Sequence, residues 1–237
     1  MDETFIAYCG VPPVPQDLLS AWNLDPPLLA ALLLCAPLVS RFAANRRAGW
    51  AAWCLAWIIF VSPLCALSSA LFSARVLHHV LLIAALAPLL VVAFPRANRW
   101  ALPTGAVFLV HLLTLWVWHA PGPYGWALSS VAGYWFMQVT LLGSAWALWR
   151  EALRPGAAAT ALALLVGTVA HMGLLGALIV FAPDPVYLAH LATTEPWGLS
   201  ALADQQLAGL LMWVPAVLPY LALGLRIALR AIPDEAT

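Results

Sequence analysis

Apolar residues run along this chain in seven long stretches separated by short polar interruptions, at roughly 26–42, 50–70, 74–94, 103–119, 130–149, 157–181 and 204–225. A helix that spans a bilayer needs about 20 predominantly apolar residues, and each stretch is close to that length. The pattern predicts an all-α fold, a polytopic membrane bundle of seven transmembrane helices forming a single integral membrane domain over residues 1–237. Loops this short leave no room for a separate soluble domain. Asp25 followed by Pro26 and Pro27 predicts an N-cap with proline in the first turn. Pro37, Pro63, Pro88, Pro215 and Pro219 fall inside the stretches and predict kinks rather than breaks, because neighbouring helices can satisfy the freed carbonyls. Trp50, Trp100, Trp118, Trp126, Trp149 and Trp197 lie near the predicted ends, as interfacial anchors do.

Composition supports the same reading. Residues of the AVILMFWYC set make up 64% of the chain and charged residues only 8%, where a soluble domain carries about a quarter charged. Ten basic residues balance ten acidic ones, so no net field attracts nucleic acid. All ten basic residues are arginine. Arg41, Arg46, Arg47, Arg96, Arg99, Arg150, Arg154, Arg226 and Arg230 follow the odd-numbered stretches, which places them on one side. The positive-inside rule makes that side cytoplasmic, with the N-terminus outside and the C-terminus inside. Asp2, Glu3, Asp17, Asp25, Asp184, Glu195 and Asp204 then lie towards the outer face. Residues Met1 to Gly10 have no basic segment ahead of an apolar run, so no cleavable secretory signal is expected.

In so apolar a chain the informative residues are ionisable or metal-binding groups within the spans. His78 and His79 fall about one turn inside the outer end of the third stretch, and His119 closes the fourth. Asp204 opens the seventh on the same side. His111 is eight residues below His119, about 12 Å at the helical rise, and His171, beside Met172, is at similar depth. Met212 lies eight residues below Asp204. Imidazole with thioether suits copper, methionine favouring Cu(I), whereas imidazole with carboxylate suits Cu(II) or zinc. The outer group followed by the deeper one suggests a graded metal path. Plainer roles are available to each residue. Adjacent histidines point about 100° apart, so only one of His78 and His79 is expected to face the bundle centre. Asp204 could cap its helix, His111 and His171 could bond across helices, and Met137, Met172 and Met212 could be packing. His190 reads as a loop residue.

Four cysteines form no CxxC and are expected to be structural; Cys9 and Cys65 both face the outer side and could meet. Phosphate loops, nucleophile elbows and HExxH are absent, which leaves hydrolytic and nucleotide chemistry unsupported and predicts a protein that is not an enzyme.

The string Asp204-Gln205-Gln206-Leu207-Ala208-Gly209-Leu210-Leu211-Met212-Trp213, with Trp118-His119-Ala120-Pro121 and the segment from His79 to Leu90, resembles the multi-span CtaG-type cytochrome c oxidase assembly family. Gly176 to Tyr187 is similar to that family's sixth span and its exit. The resemblance covers about residues 73 to 230. It implies a multi-pass protein of the bacterial plasma (inner) membrane that helps assemble a haem-copper oxidase, binding or delivering copper at its external face. Its partners would be membrane lipid and either oxidase subunits or a periplasmic copper donor. On that resemblance His79, His119 and Asp204 match motif positions, with Met212 closing the last motif. The family often has a histidine one turn before His79, where this chain has Arg75. Arginine repels a cation, so either His78 substitutes, fewer ligands serve, or Arg75 pairs with Asp204 as an ion-pair latch. Two other functions fit the residues: a b-type haem electron carrier with His111 and His171 as axial ligands, and a copper or small-solute transporter.

Overall fold

The computed structural model describes residues 7–95 and 103–231, and each of the seven apolar stretches is helical in it. Asp2, Glu3, Arg96, Arg99 and Trp100 lie outside the described residues. Helix α1 covers Pro26–Phe42; the Asp25 carboxylate accepts from the Leu28 N–H, and proline fills the first turn. The second stretch divides into α2, Arg46–Phe60, and α3, Pro63–Ala70, which meet at a 43° bend. Here proline does more than kink: Ser62 caps a new helix and Pro63 takes its first position, where its missing N–H costs nothing.

The third stretch is α4, Phe72–Val80, continuing through a π-helical turn at Leu81–Leu86 into α5, Ala87–Ala93. Pro88 explains the turn. It has no N–H to give, and its ring would crowd the carbonyl four residues back; widening the helix moves the unmet acceptor to Ile83. The indole N–H of Trp149 donates to that carbonyl at 2.8 Å. Trp149 is therefore a buried cross-helix donor and not an interfacial anchor, and Trp118 likewise donates to the Thr140 hydroxyl at 2.8 Å.

Beyond the described gap come α6, Thr104–His119, and a helix that the sequence pattern reads as loop, α7, Pro121–Leu128, folded back at 73°. Then follow α8, Val131–Ala152, and α9, Ala158–Val180. The last stretch is α10, Ala201–Trp213, and α11, Leu218–Ala231, joined by a 3-10 turn at Pro215–Val217. By length and composition three continuous helices can cross a membrane, Phe72–Ala93, Ala158–Val180 and Ala201–Arg230, and the two bent pairs bring the number to five.

Two ends emerge. The Ala44 N–H donates to the Ala93 carbonyl, tying the turn that carries Arg41, Arg46 and Arg47 to the end of α5. Arg150 sits in a cleft with Phe94 and Pro95, and Arg154, Arg226 and Arg230 line the next. Glu151 is buried among them and pairs with Arg150 and Arg154, both at 3.2 Å. Every described arginine except Arg75 thus lies at one end. At the other end Cys9 and Cys65 form a disulfide that fastens the N-terminal segment to α3, while Cys35 and Cys54 are free and exposed.

Candidate functional site

The histidine end is built on α4, and the start of α4 is held from another helix. Phe72 and Ser73 present N–H groups that Leu71 cannot cap. The buried Asp204 of α10 supplies the acceptors: Oδ2 takes the Phe72 N–H at 2.6 Å, and Oδ1 takes the Ser73 N–H at 3.2 Å and the Ser73 hydroxyl. A carboxylate at a helix N-terminus also meets the positive end of the helix dipole. No ion pair joins Asp204 to Arg75, so the latch does not form. His79 is about 10 Å further along the helix axis, seven residues on at 1.5 Å each. Asp204 is therefore occupied as a cap from a distance and is not gathered with the imidazoles.

The neighbouring residues of the same motif also clamp helices. Gln205 accepts from the Val186 N–H at 2.8 Å and donates to the Ile179 carbonyl at 3.2 Å, closing the exit of α9. Gly209 crosses Gly176 so closely that a Cβ on Gly209 would lie 2.7 Å from the Gly176 carbonyl oxygen. Trp213 covers Gly173 and Gly176. Met212, with Met137 and Met172, is buried in the main apolar core.

The loop between α9 and α10 closes this end. Tyr187 stacks on Phe72 with centroids 3.6 Å apart and donates its hydroxyl to the His119 carbonyl at 2.8 Å. His190 is buried, not a free loop residue. Its Nδ1 lies 3.3 Å from the Ala70 carbonyl, which can only accept, so Nδ1 carries the proton and Nε2 accepts from the Tyr124 hydroxyl at 2.7 Å. Burial pushes the His190 pKa down to about 4; the charge of Arg75 adds to this and the Ala70 carbonyl opposes it. An undocked histidine titrates near 6.5, so between pH 6.5 and 4 the open loop binds the proton that the docked loop refuses. Docking is at full strength above pH 6.5 and weakens below it by up to about 1.4 kcal/mol per pH unit. Amide protection factors over residues 181–200, each rate being divided by its intrinsic base-catalysed rate at the same pH, are expected to be smaller at pH 5 than at pH 7.5, and His190→Gln should flatten that dependence. Equal pH dependence in both proteins would remove His190 as its source.

Beneath the loop the histidines resolve into two pairs. The rings of His79 and His119 have centroids 5.9 Å apart, with His78 5.7 Å from His79. Deeper, His111 and His171 are 6.3 Å apart. All five are buried. The Nδ1 of His119 lies 2.7 Å from the Leu115 carbonyl and must donate to it, which leaves the lone pair on Nε2 in the neutral ring. The Nδ1 of His111 meets the Ser144 hydroxyl at 3.1 Å; that hydroxyl spends its own proton on the Leu141 carbonyl, so His111 donates and its Nε2 is likewise the acceptor. Among the described residues neither Nε2 has a partner, both nitrogens of His79 and His171 are also without one, and His78 has only the Ile59 backbone within reach, in poor geometry. Among the described residues no three of His, Cys, Asp or Glu converge on one point. The sequence-predicted set of His78, His79, His111, His119, His171, Asp204 and Met212 is thus divided: histidines in two pairs, with Asp204 at a helix start.

Two more groups accompany the outer pair: Gln138, which sequence reasoning did not connect to it, and Arg75, which it did. The helices α6 and α8 run antiparallel, with His111 against Ser144 and Trp118 against Thr140, and this register sets Gln138 near the level of His119. Gln138 is buried with neither amide atom bonded. A lone glutamine in an apolar stretch was the available signal. Arg75 is wholly buried (0% exposed) and, among the described residues, forms no ion pair and no hydrogen bond of good geometry on any guanidinium nitrogen. Its guanidinium lies 5.5 Å from the centroid of the Tyr134 ring. Such a contact contributes about 2 kcal/mol when desolvated, less than the several kcal/mol that burying a cation costs.

A protein family matches the sequence. The family described as cytochrome c oxidase caa3 assembly factor (Caa3_CtaG) matches residues 29–233. The chain belongs to this family. The match extends over α1 to α3, which the motifs alone do not reach. No curated protein and no solved structure matches the chain. For a cytochrome c oxidase caa3 assembly factor, a membrane setting and an encounter with the oxidase follow directly, and the role suggested is non-catalytic.

Proposed function

We propose that this assembly factor carries copper for the oxidase, holding Cu(I) between His79 and His119 at the external face of a bacterial plasma membrane. The supporting observation is the adjacent, edge-on pair of buried imidazoles, in which both nitrogens of His79 and the Nε2 of His119 have no partner among the described residues, and the tautomer of His119 is set so that Nε2 offers its lone pair. Two imidazoles on one metal ion, with metal–nitrogen bonds of about 2 Å, have centroids about 6 Å apart, and 5.9 Å suits that spacing. A carbonyl that takes the other ring proton is the usual support of a metal-binding histidine. Two-coordinate imidazole ligation favours Cu(I) as cargo, which can be handed on because the site is not closed by further ligands. The His111–His171 pair, 6.3 Å apart, would be a second station below it.

In this reading the chain makes seven spans, the N-terminus and the histidine end face outward, and the arginine end faces the cytoplasm, as the positive-inside rule requires. Copper would come from a periplasmic donor and pass to an oxidase subunit. Family membership moves the weight from electron transfer by a b-type haem, and from solute transport, to assembly. Titration of the purified protein against a chromogenic Cu(I) chelator tests the site. The wild type is expected to take up Cu(I) stoichiometrically, and the double variant His79→Gln, His119→Gln to lose affinity by about 100-fold or more. Unchanged stoichiometry and affinity in a folded double variant would sink the assignment.

A further inference from the structure

Among the described residues Arg75 has no counter-charge. Asp204, the acid nearest in sequence logic, turns its carboxylate to the Phe72 and Ser73 amides. The company of the guanidinium is neutral: the Tyr134 ring, and the hydroxyls of Tyr124 and Tyr134 within reach of its charge. A permanently charged, wholly buried guanidinium whose polar company among the described residues is neutral tyrosine hydroxyls, none in good hydrogen-bond geometry, calls for an anion. Its position also matters. Arg75 is one helical turn from both His78 and His79, so all three side chains lie along one side of α4, and Gln138 is one turn along α8 from Tyr134. The orphaned polar atoms of Arg75, His78, His79 and Gln138 therefore belong to one buried polar region at the histidine end.

We propose that Arg75 is the core of a binding site for a small monovalent anion, a halide or a short carboxylate such as formate, taken from the external solution. The planar fork of the guanidinium offers paired N–H donors to either. The tyrosine hydroxyls and the Gln138 amide can add neutral donors. The anion site stands on Arg75 alone. Its consequence rests on the copper reading: with the anion bound, the arginine no longer repels a cation one turn away at His79, so anion and metal enter as a pair of nearly zero net charge.

The test uses the full chain in detergent or nanodiscs, with sodium bromide or sodium formate exchanged at constant ionic strength for sodium gluconate, whose anion is too large for a fully buried position. The wild-type unfolding midpoint is expected to rise saturably in bromide and in formate by about 4 °C or more. Arg75→Gln should show no such rise, and in gluconate should melt at or above the wild type, because it no longer buries a bare charge. Arg75→Lys should retain a response to bromide. A wild type indifferent to these anions, or an Arg75→Gln protein that responds equally, overturns the proposal. Should Arg75→Gln fail to fold, the wild type alone decides through bromide anomalous scattering: density against the guanidinium supports the site, and its absence at saturating bromide refutes it. Copper affinity that ignores bromide while the midpoint responds would leave the anion site standing and count against the copper reading.

Discussion

Asp204→Ala should unfold the histidine end and leave copper bound to whatever fraction still folds. The carboxylate takes two backbone N–H groups and one hydroxyl in a position with no access to water. Charge-assisted bonds contribute about 1.5–3 kcal/mol each, and a stranded buried donor costs about 1–3 kcal/mol. Allowing for partial relaxation, the loss is on the order of 4 kcal/mol, a large part of the stability of an ordinary domain. Asp204→Asn should lose less, since one oxygen remains, but its amide nitrogen would face N–H donors. The decisive measurement is Cu(I) bound per folded molecule. If it stays constant while the midpoint falls, Asp204 is a clamp; if copper disappears from a protein with an unchanged midpoint, Asp204 is a ligand and the capping argument fails.

That outcome bears on how a family signature is interpreted. The aspartate-glutamine string was the most specific motif in the chain, and its placement at the histidine end made a ligand role natural. In the structure Asp204 starts α4, Gln205 closes α9, Gly209 permits the crossing and Trp213 covers it. Depth along each helix was legible from sequence, because 1.5 Å per residue converts position into level, and it placed His79 with His119 and His111 with His171. What lies between levels was not. Whether Asp204 points along α4 or into the bundle depends on helix rotation, which a weakly amphipathic apolar helix does not declare. The supports of the histidines were hidden too, since one is the Leu115 backbone carbonyl and the other an ordinary serine, Ser144.

The fold shows the same division. The seven apolar stretches are all helical, but α7 falls in a segment read as loop and the last helix runs six residues past its stretch; Asp25 with its prolines predicted the start of α1. The breaks at Pro63 and Pro215 were read as kinks because proline in lipid is tolerated whenever a neighbour supplies a donor. That rule held for Pro88, where Trp149 answers the freed Ile83 carbonyl. At Pro63 the chain instead restarts a helix with Ser62 as its own cap. The difference is local chemistry, a capping serine directly before the proline, and was visible in the sequence to that extent. Arg75 was marked as a departure from the family pattern that Asp204 could pair with, but Asp204 already has other bonds.

The α9–α10 crossing gives the second large effect. A Cβ on Gly209 would meet Val180 Cγ2 at 2.5 Å, the Gly176 carbonyl oxygen at 2.7 Å and the Val180 nitrogen at 3.0 Å. The last two are backbone atoms of α9, which cannot step aside as a side-chain tip can. On Gly176 the nearest atom is the Gly209 carbonyl oxygen at 3.0 Å, and on Gly173 nothing is nearer than Trp213 at 3.7 Å. Small residues at such crossings let helices pack by direct van der Waals contact where lipid gives no hydrophobic drive. Overpacking costs about 1–3 kcal/mol, and more where backbone must shift. Alanine substitution is therefore expected to lower stability most at Gly209, by about 3 kcal/mol or more, less at Gly176, and hardly at all at Gly173, with the unfolding midpoints falling in the same order. The same order should appear in oxidase assembly in cells, because displacing α10 also withdraws Asp204 from α4 and so disturbs the position of His79 without touching it. An equal tolerance of alanine at Gly209 and Gly173 would mean that the crossing is looser than 2.7 Å from backbone oxygen implies, and would remove the mechanical link between the signature motif and the histidine pair.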